Sequence, residues 1–258
     1  MTILHDSPVF GPVHSRRLGV SLGINLLPAD GKVCSFDCIY CECGYNRDFR
    51  PKTKMPSREQ VISKLHSVLS DIRKNGPKPD VITFAGNGEP TLHPHFPEIV
   101  DDVISLRNDF FPKCKISVLC NATRITDDKV FDALLKVDNN ILKLDTVSDE
   151  YIRMVDRPNY SQFDIREIIS RMKKYGNKCI IQTMFMKGTH EGHDVSNISD
   201  EFVGPWINTL KEIKPSMVMI YTIDRDTPSP QLEKATHQEL DDIANRVRQA
   251  GIACQTSY

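Results

Sequence analysis

Four of the eight cysteines fall within ten positions, in the run Cys34-Ser-Phe-Asp-Cys38-Ile-Tyr-Cys41-Glu-Cys43. Thiolate is a soft ligand that suits zinc, copper(I) or iron–sulfur clusters. A structural zinc site usually takes four protein ligands, commonly as two separated pairs. No second Cys-x-x-Cys and no His-x₃-His occurs in the chain, and His93 and His95, which could offer nitrogen, follow a different strand. Three closely spaced thiolates without a fourth favour a [4Fe–4S] cluster with one iron left open to a substrate or cofactor. Cys43 is read as a free thiol beside that cluster, since two residues from Cys41 it could join only under strain. Cys114, Cys179 and Cys254 are scattered singly and read as structural.

Other polar residues recur at one kind of place. Gly86-Asn87-Gly88-Glu89-Pro90 follows one strand-like run; Cys120-Asn121 and Asp145-Thr146 end two more; Gln182 and Thr183 sit in a fifth; Tyr221, Asp224 and Arg225 close a sixth. Asn and Asp also favour turns and caps, so any one of these is weak evidence. Their shared position is the stronger signal. In parallel α/β folds the C-terminal strand ends form the rim that carries the active site.

The elements that must build this rim are legible as alternation. Short apolar runs of strand length span Ser21–Leu27, Val81–Ala85, Lys115–Leu119, Asn140–Leu144, Cys179–Phe185 and Met217–Ile223. They are rich in Val, Ile and Leu, as strands buried on both faces should be. Amphipathic segments lie between them. Ser57 with Gln60 caps a helix whose Val61, Leu65, Leu69 and Ile72 share one face; Thr236 with Glu239 opens another that Gly251 closes. Ser161 is read as the cap of a helix through Ile165, Ile168, Ile169 and Met172 to Gly176. Strict β–α alternation implies a parallel sheet.

The expected fold is α/β: a partial (β/α)₆ TIM-like barrel with parallel strands in a single domain, 1–258. An N-terminal extension covers 1–19, the barrel 20–226, and a C-terminal helix with a short strand near Gly251–Tyr258 covers 227–258. A length of 258 residues with 40% hydrophobic and 26% charged residues is ordinary for one globular domain. The formal charge of −1 argues against a surface built mainly to grip nucleic acid, and Lys and Arg form no stripe along the sequence. No apolar run approaches spanning length and no signal-peptide core is present, so the expected address is cytoplasmic, without a membrane.

The Cys-x₃-Cys-x₂-Cys spacing, with Tyr40 just before its last cysteine, resembles the signature of the radical S-adenosylmethionine (SAM) superfamily. Asn87-Gly88-Glu89-Pro90 is similar to that family's Gly-Gly-Glu-Pro segment, with Asn in place of the first Gly. Phe10–Gly19, Gly86–Pro94, Lys143-Leu-Asp145, Gln182–Phe185 and Ile220–Arg225 resemble the group of iron–sulfur oxidoreductases related to wyosine-base tRNA enzymes.

The resemblance implies that Cys34, Cys38 and Cys41 bind the [4Fe–4S] cluster. It implies reductive cleavage of SAM to methionine and a 5′-deoxyadenosyl radical that abstracts hydrogen from a substrate. Asn87, Gly88 and Glu89 would meet SAM's amino group, Asn121 and Asp145 its ribose and carboxylate, and Tyr40 and Ile223 its adenine, with Gln182 facing SAM or substrate. Cys120 is a candidate hydrogen-atom or proton donor, although a small buried filler is the commoner use of such a cysteine. Arg16, Arg17, Tyr221, Asp224 and Arg225 are candidate substrate contacts. An electron donor such as a flavodoxin or ferredoxin is implied. The substrate is RNA, as in the wyosine group, or a small molecule; a non-enzymatic zinc module is the remaining alternative.

Overall fold

The computed structural model describes residues 3–15 and 18–258. Strands β1 (Val9–Ser15), β2 (Gly19–Ile24), β3 (Val81–Phe84), β4 (Lys115–Cys120), β5 (Asn139–Lys143), β6 (Ile180–Met184), β9 (Met217–Tyr221) and β11 (Cys254–Ser257) form one curled sheet in that order. Every pairing but β1–β2 is parallel, and the sheet makes a half-barrel. The six expected strands are all present and adjacent. Two further strands flank them: β1, antiparallel within the residues read as an extension, and β11, parallel to β9. A small second sheet of β7 (Met186–His190), β8 (His193–Asp194) and β10 (Leu232–Lys234) follows β6, and sequence alternation gave no sign of it.

Helices α1 (Arg58–Asn75), α2 (Phe96–Phe110), α3 (Asp128–Leu135), α4 (Asp149–Val155), α5 (Ile165–Tyr175), α6 (Asp200–Ile213) and α7 (His237–Gln249) fill the crossovers. Both expected capping boxes are formed, Ser57 with Gln60 and Thr236 with Glu239. The third cap is corrected. Asp164, not Ser161, caps α5, its carboxylate accepting from the Arg166 N–H at 2.9 Å. The chain passes Ser161 in a turn and becomes helical only at Ile165. Gly176 ends this helix at φ 53°, in the region that favours glycine.

Because side chains alternate along a strand, each strand faces two cores. Leu22, Ile24, Ile82, Phe84, Ile116, Val118, Leu142, Ile181 and Val218 pack outward in the main core with the helices. Ile141, Ile180 and Met219 form a smaller cluster with Leu18, Leu119 and Met217 in the half-barrel's interior. Polar side chains line the same interior: Ser21 pairs with Thr83 at 2.8 Å, and the Asn139 amide donates to Ser117 at 2.8 Å. Lys143, Gln182, Met219 and Gln255 are register partners on successive strands, so they form one row across the inner face.

Candidate active site

The thiol loop leaves β2 and crosses the C-terminal rim. Backbone bonds to two neighbouring segments and one side-chain amide fix it. The Val33 N–H donates to the Asn87 carbonyl at 2.9 Å and the Glu89 N–H to the Val33 carbonyl at 3.0 Å, welding the loop to the segment after β3. The Asp37 and Ile39 N–H groups donate to the Asp156 and Val155 carbonyls at the end of α4. The Asn159 amide donates to the Cys34 carbonyl at 2.7 Å. Gly88 sits at φ 131°, and a Cβ there would overlap the Val33 carbonyl oxygen, so the weld requires glycine.

Cys38 is buried, and Cys34, Cys41 and Cys43 are half-buried; all are free thiols. Burial pushes the Cys34 thiol up to about 12 and Cys38 well above the ordinary thiol range. A hydrogen bond from the Cys43 thiol draws Cys41 down to about 6, and Cys43 rises in return. Cys43 also approaches the Gly86 carbonyl at 3.7 Å.

Beneath the thiols lies Lys32, its side chain only 1% exposed. Its ammonium donates to the Gly44 carbonyl at 2.6 Å and lies 3.5 Å from Asp37. Burial alone would lower this ammonium's pKa; Cys41, Cys34, Cys38 and Asp37 outweigh it and hold it above the usual lysine range. One buried cation thus faces all three cysteines of the Cys-x₃-Cys-x₂-Cys run. Among the described residues no group of three or more His, Cys, Asp or Glu side chains is set to hold a single metal ion. By donor chemistry, three soft thiols around a buried positive charge suit an anionic iron–sulfur unit with an open iron. His93 is committed elsewhere, its ring nitrogens engaged with the Pro56 carbonyl and the His95 N–H.

A second charged group stands beside the thiols. Lys143, the last residue of β5, lies 2.6 Å from Asp156 and closer still to Asp145 and the Tyr40 hydroxyl. The Tyr40 hydroxyl also donates to Asp145. Burial alone would lower the Lys143 ammonium's pKa, but Asp145 and Asp156 outweigh it and raise it well above the usual range. Burial lifts the Asp156 carboxyl to about 6 despite the lysine. The strand end carrying Lys143 and Asp145 is rigidly held: the Leu144 carbonyl accepts from Thr183 at 2.8 Å and from the Trp206 indole at 3.1 Å, and Asp145 accepts from the Met184 N–H at 2.9 Å.

The remaining sequence candidates divide. Glu89 is buried, its carboxylate accepting from the Thr91 N–H at 3.1 Å, the Thr91 hydroxyl at 2.5 Å and the Asn121 N–H at 2.6 Å. Burial raises its pKa in spite of these bonds. Asn121 reaches the thiol loop, its amide donating to Ser35 at 3.0 Å and approaching Cys34 Sγ at 3.5 Å. The Asn87 side chain is spent on the backbone of His5 and Pro28. Cys120 is buried and accepts from the Ala122 N–H, as a packing cysteine does. Gln182 keeps a buried amide nitrogen without a partner, on the row beside Lys143. Ile223 is buried; Arg225 pairs with Glu42 at 2.7 Å, joining the end of β9 to the thiol loop, and Asp224 lies 3.9 Å from Lys234. Tyr221 ends β9 on the inner face. Arg16 and Arg17 lie outside the described residues.

Sequence reasoning did not single out Lys32, Lys143 or Asp156. Lys32 precedes the thiols by two residues and Lys143 by two residues Asp145, so both spacings were in view, but burial of a lysine is not written in composition.

A family model described as the Radical SAM superfamily matches residues 30–200, from just before the thiol loop to the first residue of α6. The chain belongs to the radical SAM superfamily. It is therefore an enzyme of a family whose cofactors are a [4Fe–4S] cluster and SAM. The chain is 31% identical to a UPF0026 protein of Helicobacter pylori over 90% of its own length and 71% of the relative's. Among solved structures it is similar to a radical SAM methyltransferase from Sphaerobacter thermophilus (TM-score 0.67, 15% identity, 92% of this chain and 66% of that one). It is also similar to TYW1 with a lysine-pyruvate adduct bound (TM-score 0.61, 16% identity, 89% of this chain and 73% of that one). At such identity these structures speak for the shared half-barrel. The chain thus spans about two thirds of the length of the methyltransferase and somewhat more of the other two. Among the described residues no helix is long and apolar enough to cross a membrane.

Proposed function

We propose that this radical SAM enzyme holds its cluster through Cys34, Cys38 and Cys41 and cleaves SAM reductively at the C-terminal rim of the half-barrel. The single observation that carries the assignment is the Cys34, Cys38 and Cys41 loop tied to the rim beside a buried Lys32 ammonium, which would offset thiolate charge once a cluster is bound. When bound through these cysteines, the cluster would supply the electron for reductive cleavage of SAM, the chemistry that would start hydrogen abstraction.

The chain's own residues bind and orient. Asn121 flanks the thiol loop as a donor suited to SAM's carboxylate or ribose, and Lys143, its three N–H groups given to Tyr40, Asp145 and Asp156, lends positive charge beside it. Glu89 acts chiefly through structure: it caps the turn at Pro90–Leu92 and holds the Asn121 backbone, while Gly88 lets the backbone approach closely. Fixed charges and donors in a buried mouth need no reorganisation when the bond breaks. A flavodoxin or ferredoxin is the proposed class of electron donor, and the cytoplasm the proposed location.

The test is anaerobic reconstitution with iron and sulfide, then SAM and dithionite, with 5′-deoxyadenosine read by chromatography. Wild type should release it, and Cys34→Ala, Cys38→Ala and Cys41→Ala should not. A folded wild type that carries a cluster but never cleaves SAM would overturn the reading. RNA modification is a second reading, favoured by the structural likeness to TYW1; tRNA added to the same assay tests it through increased SAM turnover and a modified nucleoside.

A further inference from the structure

At the end of the half-barrel opposite the thiol loop, the strands begin around a cavity of about 1010 Å³. Its wall includes the first residues of β3, β4, β5 and β9, and Met219 and Gln255 line it farther in. Arg73, Lys78, Lys113 and Lys115 line its exposed mouth. They come from the end of α1, the loops before β3 and β4 and the first residue of β4, which is why no basic stripe appears in the sequence.

None of these four cations has an ion-pair partner among the described residues; the Arg73 guanidinium lies over the Phe110 ring at 5.9 Å. Elsewhere the basic side chains are commonly paired: Arg58 with Asp102, Arg107 with Asp138, Lys136 with Asp101, Arg171 with Asp128. The carboxylate that lines the cavity, Asp80, accepts from the Val20 N–H at 2.9 Å. Four positive charges against one committed carboxylate, in a chain of net charge −1, make a local field that an anion would relieve. Behind that mouth the wall is largely apolar, with Leu18, Phe111, Met217 and Met219. The volume matches the upper range of small-molecule sites, roughly 300–1,000 Å³.

The cavity ends at Met219 and Gln255, short of the rim. Met219 in its wall is the register partner of Gln182, and Gln182 of Lys143. Adjacent strands lie about 4.8 Å apart, so the cavity wall stands two strands from the charged group beside the thiols. Gln182, between them, holds the buried amide nitrogen without a partner.

We propose that this cavity is a binding site for a phosphate-bearing small molecule, at the end of the strands opposite the rim where SAM cleavage is proposed. The phosphate sits among Arg73, Lys78, Lys113 and Lys115, and the uncharged body lies along Met217 and Met219.

Inorganic pyrophosphate is the probe. The reconstituted full chain is acetylated with a limiting amine-reactive reagent, with and without pyrophosphate, and each lysine is read by mass spectrometry. Pyrophosphate should slow acetylation of Lys78, Lys113 and Lys115 at least threefold and leave Lys54 and Lys64, exposed on another face, unchanged. By calorimetry Lys78→Glu with Lys113→Glu should weaken pyrophosphate at least tenfold, and Lys54→Glu with Lys64→Glu should not. Equal protection of all lysines, no protection, or protection by tRNA but not by pyrophosphate would overturn the proposal. The probe reads the cavity without SAM, so a failed cavity leaves 5′-deoxyadenosine release intact. Absent release overturns the proposed function whatever the anion result.

Discussion

Lys143 Nζ lies 2.6 Å from Asp156 Oδ1, joining the last residue of β5 to the end of α4 directly beside Cys38. Both side chains are largely buried, at 15% and 3% exposure. Removing the lysine strands two carboxylates, Asp145 and Asp156, in a low-dielectric site. Breaking such a buried pair costs about 3–5 kcal/mol, more than the pair itself contributes. Lys143→Met should therefore lower unfolding stability by about that amount, measured in urea, and lose SAM binding. Lys143→Met with Asp156→Asn should recover part of the stability and none of the binding. Full SAM affinity in the double variant would show the group to be purely structural.

Lys32 makes a different prediction, because its positive charge faces thiols. Cluster potential depends on net charge and burial. Lys32→Met removes one buried positive charge at nearly constant volume, so the reduced cluster loses stabilisation relative to the oxidised one. The midpoint potential, followed by spectroscopy during redox titration, should move negative by tens of millivolts. Iron content should stay near that of wild type. An unchanged potential would mean that the ammonium serves only the Gly44 carbonyl and Asp37.

Gly88→Ala tests the weld between the thiol loop and the segment after β3. The new methyl would meet the Val33 carbonyl oxygen, at a φ of 131° that L-residues rarely adopt. Strain of this kind costs about 1–3 kcal/mol, and here it also displaces the loop at Val33, immediately before Cys34. Iron incorporated per chain should fall at least twofold, read by metal and sulfide analysis, with the thermal midpoint lowered. Normal iron loading would mean that the thiol loop does not depend on the Val33–Gly88 contact.

The parts of the fold that were legible share one cause. Six strands buried on both faces must be apolar runs, and their helices must be amphipathic, so β2–β6 and β9 stood out. β1 did not: its Gly11, Pro12 and exposed Val13 spoil the pattern, and its pairing to β2 depends on Phe10 lying over Gly23, which no local rule encodes. The β7–β8–β10 sheet was missed because its strands are short and polar, and β10 comes from a segment distant in sequence. At the site, the thiols were legible from spacing because one loop carries them all. Lys143 and Asp156 meet only through tertiary structure, and the four cavity cations come from two stretches far apart in sequence, 73–78 and 113–115.

Helix α5 gives a prediction on which the sequence pattern and the structure disagree. Ser161 has the right residue type for a cap and precedes a run of isoleucines, yet it lies exposed in a turn three residues before Asp164. Asp164 adopts extended backbone, and its carboxylate accepts from the Arg166 N–H, one of the donors that a helix start leaves unsatisfied. Its carboxyl pKa is lowered chiefly by that backbone bond and then by the Arg166 side chain. Losing an N-cap costs about 1 kcal/mol, whereas an exposed turn residue changes stability by less than about 0.5 kcal/mol. Asp164→Ala should therefore lower the urea midpoint clearly, Asp164→Asn much less, and Ser161→Ala hardly at all. A larger loss from Ser161→Ala than from Asp164→Ala would move the start of α5 back to the turn and unmake the correction.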